Sequence, residues 1–333
     1  MKRSGILAVG ICFAAQTIAS IAAQPLIIAH RGARAYRPEH SLASYELGIE
    51  QGADYVEPDI VSTKDNELVC RHDDYLGDTT DVKSHPEFAG RWNASQLTLA
   101  EIKTLRCIEA EPQRYPDNTQ YNGQFPIATL QEVIDLVKRK NLELGKEIGI
   151  FPETKSQDGR DDRLLVNLLR ANGYEKPGAK CYIQSFGDNL PHLHTLTTIP
   201  LVQNIGWESN PVKQARNVHR LTPEGLAAMR ACTSVIALDS RWVINTASGN
   251  YGPDPRNPLL SPTTHVAEIH KAGFPVFMWT LSAPNACLSY TNQDNPDAEF
   301  RTYLEAGVDG VWTNNPDILY RVRQSMATAT LGP

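Results

Sequence analysis

Residues 25–32 read Pro-Leu-Ile-Ile-Ala-His-Arg-Gly, and residues 53–59 read Ala-Asp-Tyr-Val-Glu-Pro-Asp. Both are short apolar runs of β type that end in polar, chemically active side chains. Between them, residues 41–51 place Leu42, Tyr45 and Ile49 on one face of a predicted amphipathic helix. Strand, helix, strand is a βαβ unit, and such units imply a parallel sheet with right-handed crossovers.

The same alternation runs outward to the end of the chain. Strand-like runs follow at 68–71, 147–153, 181–184, 201–205, 235–238, 275–280 and 310–313, and helix-like runs at 129–140, 163–170, 264–272, 301–306 and 316–324. Pro316 sits where a first helical turn accepts proline. About eight strands in an α/β pattern predict a (β/α)8 barrel, and no GxGxxG loop supports the dinucleotide-binding alternative. Residues 77–126 break the rhythm: polar and rich in Pro, Asn, Gly and Asp, they form a predicted insertion after the second βα unit.

Composition fits one globular unit. The chain has 333 residues, 41% hydrophobic and 21% charged, with a formal charge of −6. No basic run is present, which excludes a charge-driven grip on nucleic acid. Residues 1–22 have a basic start (Lys2, Arg3), an apolar stretch and small residues at Ser20 and Ala22, the pattern of a cleaved export signal. Loss of Lys2 and Arg3 takes the 32 basic residues further below the 38 acidic ones, to about −8. Export to a periplasmic or secreted location permits disulfides. Of the cysteines beyond the signal, Cys107 in the insertion is the expected bridge former, while Cys70 and Cys181 lie within strands. The lack of a CxxC pair argues against thiolate-bound zinc.

Glu57 and Asp59 stand two residues apart on an extended run, so both point the same way and repel unless a cation or proton intervenes. Glu153, with Lys155 two residues on, ends another apolar run. Three acids at strand ends suit one hard divalent cation, Ca²⁺ or Mg²⁺. His30 and His72 flank the acids, and two imidazoles can serve as base and acid in cleaving a phosphodiester near neutral pH. Arg31 and Lys155 suit phosphate oxygens. His40, after Pro38-Glu39, lies beside the mouth. Gln184, Trp279 and Trp312 end later strands, where the amide can bond a ligand and the indoles can wall a glycerol-sized group or fill the core.

The ordered motifs His30-Arg31-Gly32, Pro38-Glu39-His40-Ser41, residues 51–59, Thr63-Lys64-Asp65, His72-Asp73, Pro152-Glu153-Thr154-Lys155 and residues 307–314 resemble the glycerophosphodiester phosphodiesterase family, especially its exported bacterial members. The resemblance implies a (β/α)8 barrel with an insertion after the second histidine. It implies Glu57, Asp59 and Glu153 as ligands of one cation, His30 and His72 as the acid–base pair, and Arg31 and Lys155 on the phosphate. Glu39 supports the metal or His30. Glycerophosphodiesters such as glycerophosphocholine are the implied substrates, giving sn-glycerol 3-phosphate and an alcohol. A phospholipase D or sphingomyelinase-type enzyme on the same barrel would favour an apolar rim, whereas residues 77–126 are polar. A non-catalytic binding protein would be expected to lose a histidine or an acid, and all five are present.

Overall fold

The computed structural model describes residues 24–155 and 159–330, so the predicted signal lies outside the described residues. The fold is α/β, built on one curled, mixed sheet. Its segments are β1 (Leu26–His30), β2 (Tyr55–Glu57), β3 (Asp59–Ser62), β4 (Leu68–Cys70), β5 (Gly149–Ile150), β6 (Glu153–Thr154), β7 (Ile183–Ser185), β8 (Leu201–Ile205), β9 (Val235–Asp239), β10 (Val276–Leu281) and β11 (Gly310–Thr313). They lie in the order β4-β3-β6-β7-β8-β9-β10-β11-β1-β2-β5.

Two runs expected to be continuous are each split at a proline. Pro58 parts β2 from β3, and Pro152 lies in the gap between β5 and β6. One parallel register spans both breaks: Tyr55 faces Gly149, Val56 faces Ile150, Asp59 faces Glu153 and Ile60 faces Thr154. Proline has no amide to give to the ladder, so pairing lapses there and resumes in phase.

The predicted all-parallel sheet has one exception, because β4 runs antiparallel to β3. Residues 63–67 are too short for a crossover and can only make a hairpin. Its turn closes through the Thr63 amide on the Glu67 carbonyl at 2.8 Å, with Asn66 at φ 68°.

Strand side chains alternate between two apolar layers, as a period of two requires. Ile27, Ala29, Val56, Ile150, Ile236, Val276 and Val311 join the large core shared with the helices. Ile28, Tyr55, Phe151, Val202, Val235, Ala237, Phe277 and Trp312 form a second layer that contains no helix residue. The sheet's other face therefore packs against itself.

Helix Leu130–Leu144 shows why the outer layer forms. Thr129 and Glu132 cap its start reciprocally, Val133, Ile134 and Val137 are buried, and Gly145 ends it at φ 58°. Between β4 and this helix, Leu76, Val82, Phe88, Leu97, Ile102 and Leu105 form a separate apolar cluster with Val61 and Val69. Cys107 belongs to this cluster and is buried and unbridged, contrary to expectation; its Sγ accepts from Arg71 Nη2 at 2.7 Å. The thiol is enclosed by its own subcluster, and no cysteine among the described residues bridges it. Among the described residues, no helix is long and apolar enough to cross a membrane.

Candidate active site

The proline breaks put three carboxylates at one level of the sheet. Glu57 ends β2, Asp59 starts β3 and Glu153 starts β6, and one oxygen from each lies within 4.8 Å of the others. All three are buried. Lys155 Nζ bridges Asp59 Oδ1 at 3.1 Å and Glu153. Arg31 adds its amide to Glu57 Oε2 at 2.9 Å and its Nε to Asp59 Oδ2 at 3.1 Å.

Their protonation reflects this crowding. Burial, with the charges of Asp59 and Glu153, pushes the Glu57 carboxyl well above the usual range. Burial likewise lifts Glu153 to about 7, against the pull of Lys155. Burial also opposes ionisation of Asp59, but Lys155, Arg31 and His40 outweigh it and hold that carboxyl low. Two carboxyls raised by burial beside an ionised third offer hard oxygen donors that one divalent cation would satisfy. Donor chemistry, spacing and burial all fit such an ion.

The chain enters this site through an unusual turn after β1. Arg31 adopts φ 57° and Gly32 φ 84°. A Cβ on Gly32 would lie 2.4 Å from the Ser44 carbonyl carbon, so only glycine allows this approach. Arg31 Nη1 grips both oxygens of Glu39 at 3.1 and 2.9 Å, and Arg34 joins Glu39 at 2.9 Å. These two arginines hold the Glu39 carboxyl far below its ordinary range despite burial. Glu39 thus lies behind Arg31. His40 is fully buried between Tyr45 (2.6 Å) and Asp59 (3.1 Å), and burial lowers it to about 4.

His30 and His72 line one cavity of about 170 Å³, together with Arg31, Glu57, Glu153, Gln184, Phe186, Asn204, Trp279, Thr280 and Trp312. His30 gives its Nδ1 to Asn314 Oδ1 at 2.7 Å, which leaves Nε2 for the cavity. Burial, and then the charges of Arg31 and Arg34, lower its pKa well below that of free histidine. His72, in the loop after β4, pairs Nδ1 with Asp73 at 2.9 Å and is the more exposed of the two. Trp312 is buried edge-on to Phe151 at 4.7 Å, and Trp279 meets Phe186 at 5.1 Å.

A family model for the glycerophosphoryl diester phosphodiesterases matches residues 30–318. The chain belongs to that family. It is 31% identical over 340 residues to a glycerophosphodiester phosphodiesterase of Arabidopsis thaliana, covering 90% of this chain and 86% of that one. Identity to the Treponema pallidum glycerophosphodiester phosphodiesterase is 32% over 347 residues, covering 91% and 93%. Among solved structures it is similar to a phosphodiesterase of Oleispira antarctica in complex with the product sn-glycerol-3-phosphate, with a TM-score of 0.62 at 21% identity over 90% of this chain and 97% of that one. A glycerophosphodiester phosphodiesterase of Agrobacterium tumefaciens gives 0.60 at 19%, over 89% and 99%. At those identities the likeness is one of fold.

Three residues of this family member's site escape a reading of its sequence. Asn204 lies within β8 next to Gln203, and that buried polar pair is the available signal. Asn314 follows β11, and its contact with His30 is tertiary. Tyr115 carried no signal at all: it comes from the stretch between β4 and helix Leu130–Leu144, accepts from Asn314 Nδ2 at 2.9 Å and meets Ser282 Oγ at 2.7 Å.

Proposed function

We propose that this chain is a metal-dependent hydrolase of glycerophosphodiesters such as glycerophosphocholine, releasing sn-glycerol 3-phosphate and an alcohol. The observation that carries the reading is the shared cavity, which joins two histidines from separate elements to two carboxylates of the acidic cluster. Glu57, Asp59 and Glu153 would hold one divalent cation, Ca²⁺ or Mg²⁺, which when bound supplies Lewis-acid polarisation of a phosphoryl oxygen.

His30 is the base. A proton acceptor must be neutral beforehand, and burial with two adjacent guanidiniums keeps this imidazole neutral. Asn314 takes the Nδ1 proton, so the lone pair stays on Nε2, facing the cavity. Asn314 can hold that orientation because Tyr115 engages its amino group. His72, steadied by Asp73, is then the acid that protonates the leaving alcohol oxygen. Arg31 and Lys155 orient the phosphate and screen the carboxylates, while Glu39 fixes the Arg31 guanidinium.

Two structural readings accompany this one. Counting β2–β3 and β5–β6 as single strands, as their common register allows, and setting the antiparallel β4 aside leaves eight parallel strands, with β1 pairing both β2 and β11, and so a closed (β/α)8 barrel. Residues 77–126 are the insertion on that barrel, and the N-terminal pattern at 1–22 directs export to a periplasmic or secreted location.

The test is a panel of glycerophosphodiesters and intact phospholipids, each assayed with Ca²⁺, Mg²⁺ and chelator. Turnover of soluble diesters that depends on the ion is expected. Exclusive turnover of intact lipid, or undiminished rates in chelator, would overturn the reading.

A further inference from the structure

Glu57 fixes more than a metal ligand. Its Oε2 is taken by the Arg31 amide, and its Oε1 accepts from Gln184 Nε2 at 3.0 Å. As a cation ligand Glu57 is ionised and has no proton to give, which matches the observed geometry: Gln184 turns its amino group to Glu57 and its carbonyl away. Asn204 meets that carbonyl with its own amino group, also at 3.0 Å. One charge thereby sets the direction of both amides. What remains is Asn204 Oδ1, buried and without a hydrogen-bond partner among the described residues.

A second buried atom in the same cavity is equally unmatched. Trp279 Nε1 can only donate, and it too lacks a partner among the described residues. The Phe186 ring, edge-on at 5.1 Å, holds the indole. Buried polar atoms left unpaired are rare and costly, and a ligand is one of the few things that explains them. An acceptor and a donor on one small cavity suit a group that both gives and takes a hydrogen bond. A phosphate oxygen would repel Asn204 Oδ1, and an ammonium group offers Trp279 nothing to donate to. A hydroxyl satisfies both.

We infer that Asn204 and Trp279 form a hydroxyl-reading subsite that takes the terminal hydroxyl of the substrate's glycerol. This rests on the phosphodiesterase reading above. Asn204 stands one whole side chain, that of Gln184, away from Glu57. The inner hydroxyl, next to the ester carbon, stays beside the phosphate at the carboxylates, whereas the terminal one reaches beyond them. A cavity of about 170 Å³ has room for the three-carbon unit.

The experiment compares kcat/KM for glycerophosphocholine with that for its propane-1,2-diol analogue, which keeps the inner hydroxyl and the phosphocholine but lacks the terminal hydroxyl. Wild type, Trp279→Phe and Asn204→Leu are each assayed with Mg²⁺ or Ca²⁺. Trp279→Phe keeps an aromatic ring against Phe186 while removing the N–H with part of the indole, so it carries the test even if Asn204→Leu fails to fold. Wild type is expected to favour the glycerol substrate by about thirtyfold or more, and the preference should collapse to below about fivefold in Trp279→Phe. An unchanged preference in the variant, or no preference in wild type, overturns the subsite while leaving the phosphodiesterase reading intact. If wild type cleaves neither diester, that reading itself falls. Calorimetry with sn-glycerol 3-phosphate against propane-1,2-diol phosphate then decides the subsite, equal affinity overturning it.

Discussion

Tyr115 and Asn314 lie 199 positions apart and share a hydrogen bond of 2.9 Å, Asn314 Nδ2 donating to the phenol oxygen. Through Asn314 Oδ1 the contact reaches His30 Nδ1 at 2.7 Å. Tyr115→Phe frees the amide to turn over, which would place an N–H against Nδ1 and move the imidazole proton to Nε2. Loss of one such bond predicts a fall in kcat of about tenfold with little change in KM. The ¹⁵N shifts of His30 should report the altered tautomer. An unchanged tautomer with unchanged kcat would refute the relay.

His30→Ala and His72→Ala should each lower glycerophosphocholine hydrolysis by about 10²–10⁴-fold. Circular dichroism should show the fold retained, since neither side chain belongs to an apolar cluster. Near wild-type turnover in either variant would remove that histidine from the mechanism.

The acidic cluster ties stability to pH. Glu153 is raised to about 7 and Glu57 is raised as well, so their neutral forms are favoured in the folded, metal-free protein. The stability these groups contribute is complete below the pKa of an unfolded carboxyl, about 4.3, and is lost as pH rises through about 7. His30 and His40, whose pKa values burial lowers, act in the opposite sense, so the effect is read as a difference. Between pH 5 and pH 8, chelated protein should lose more thermal stability than the chelated Glu57→Gln/Glu153→Gln variant. Saturating Ca²⁺ or Mg²⁺ should restore roughly 3–8 °C at pH 8 and much less at pH 5. A metal-induced shift as large at pH 5 as at pH 8 would contradict the ligand set.

Gly32→Ala tests the turn that delivers His30 and Arg31. The new Cβ would meet the Ser44 backbone at 2.4 Å, at φ 84°. Destabilisation of at least about 2 kcal/mol is expected in urea titration. Activity should fall further than unfolding alone explains, because the turn holds the Arg31 amide on Glu57.

The carboxylates and both histidines were legible in the sequence because strand alternation and strand-end position reveal them directly. The breaks at Pro58 and Pro152 were visible as residues but not as breaks, since a run of β-type side chains looks the same whether or not its ladder is continuous. Helix Pro211–Arg220 was missed for a different reason: it buries Asn217 and Arg220, so no apolar stripe marks it. Helix Leu190–Leu196 was missed because it is too short to show a period. Cys107 was misjudged because compartment suggested a partner, whereas packing around Arg71 supplied one of another kind. Asn204 was marked only by the polar pair it forms with Gln203, and Tyr115 and Asn314 act through tertiary contacts that no local pattern encodes.

The origin of Tyr115 in the stretch 77–126 makes the proton on His30 depend on a part of the chain outside the sheet. A molecule with its sheet assembled but residues 77–126 still unfolded would already gather its carboxylates, yet its base would have no fixed proton. Full activity therefore needs both parts in place. A proteolytic nick that displaces Tyr115 should slow the enzyme at least as much as Tyr115→Phe does.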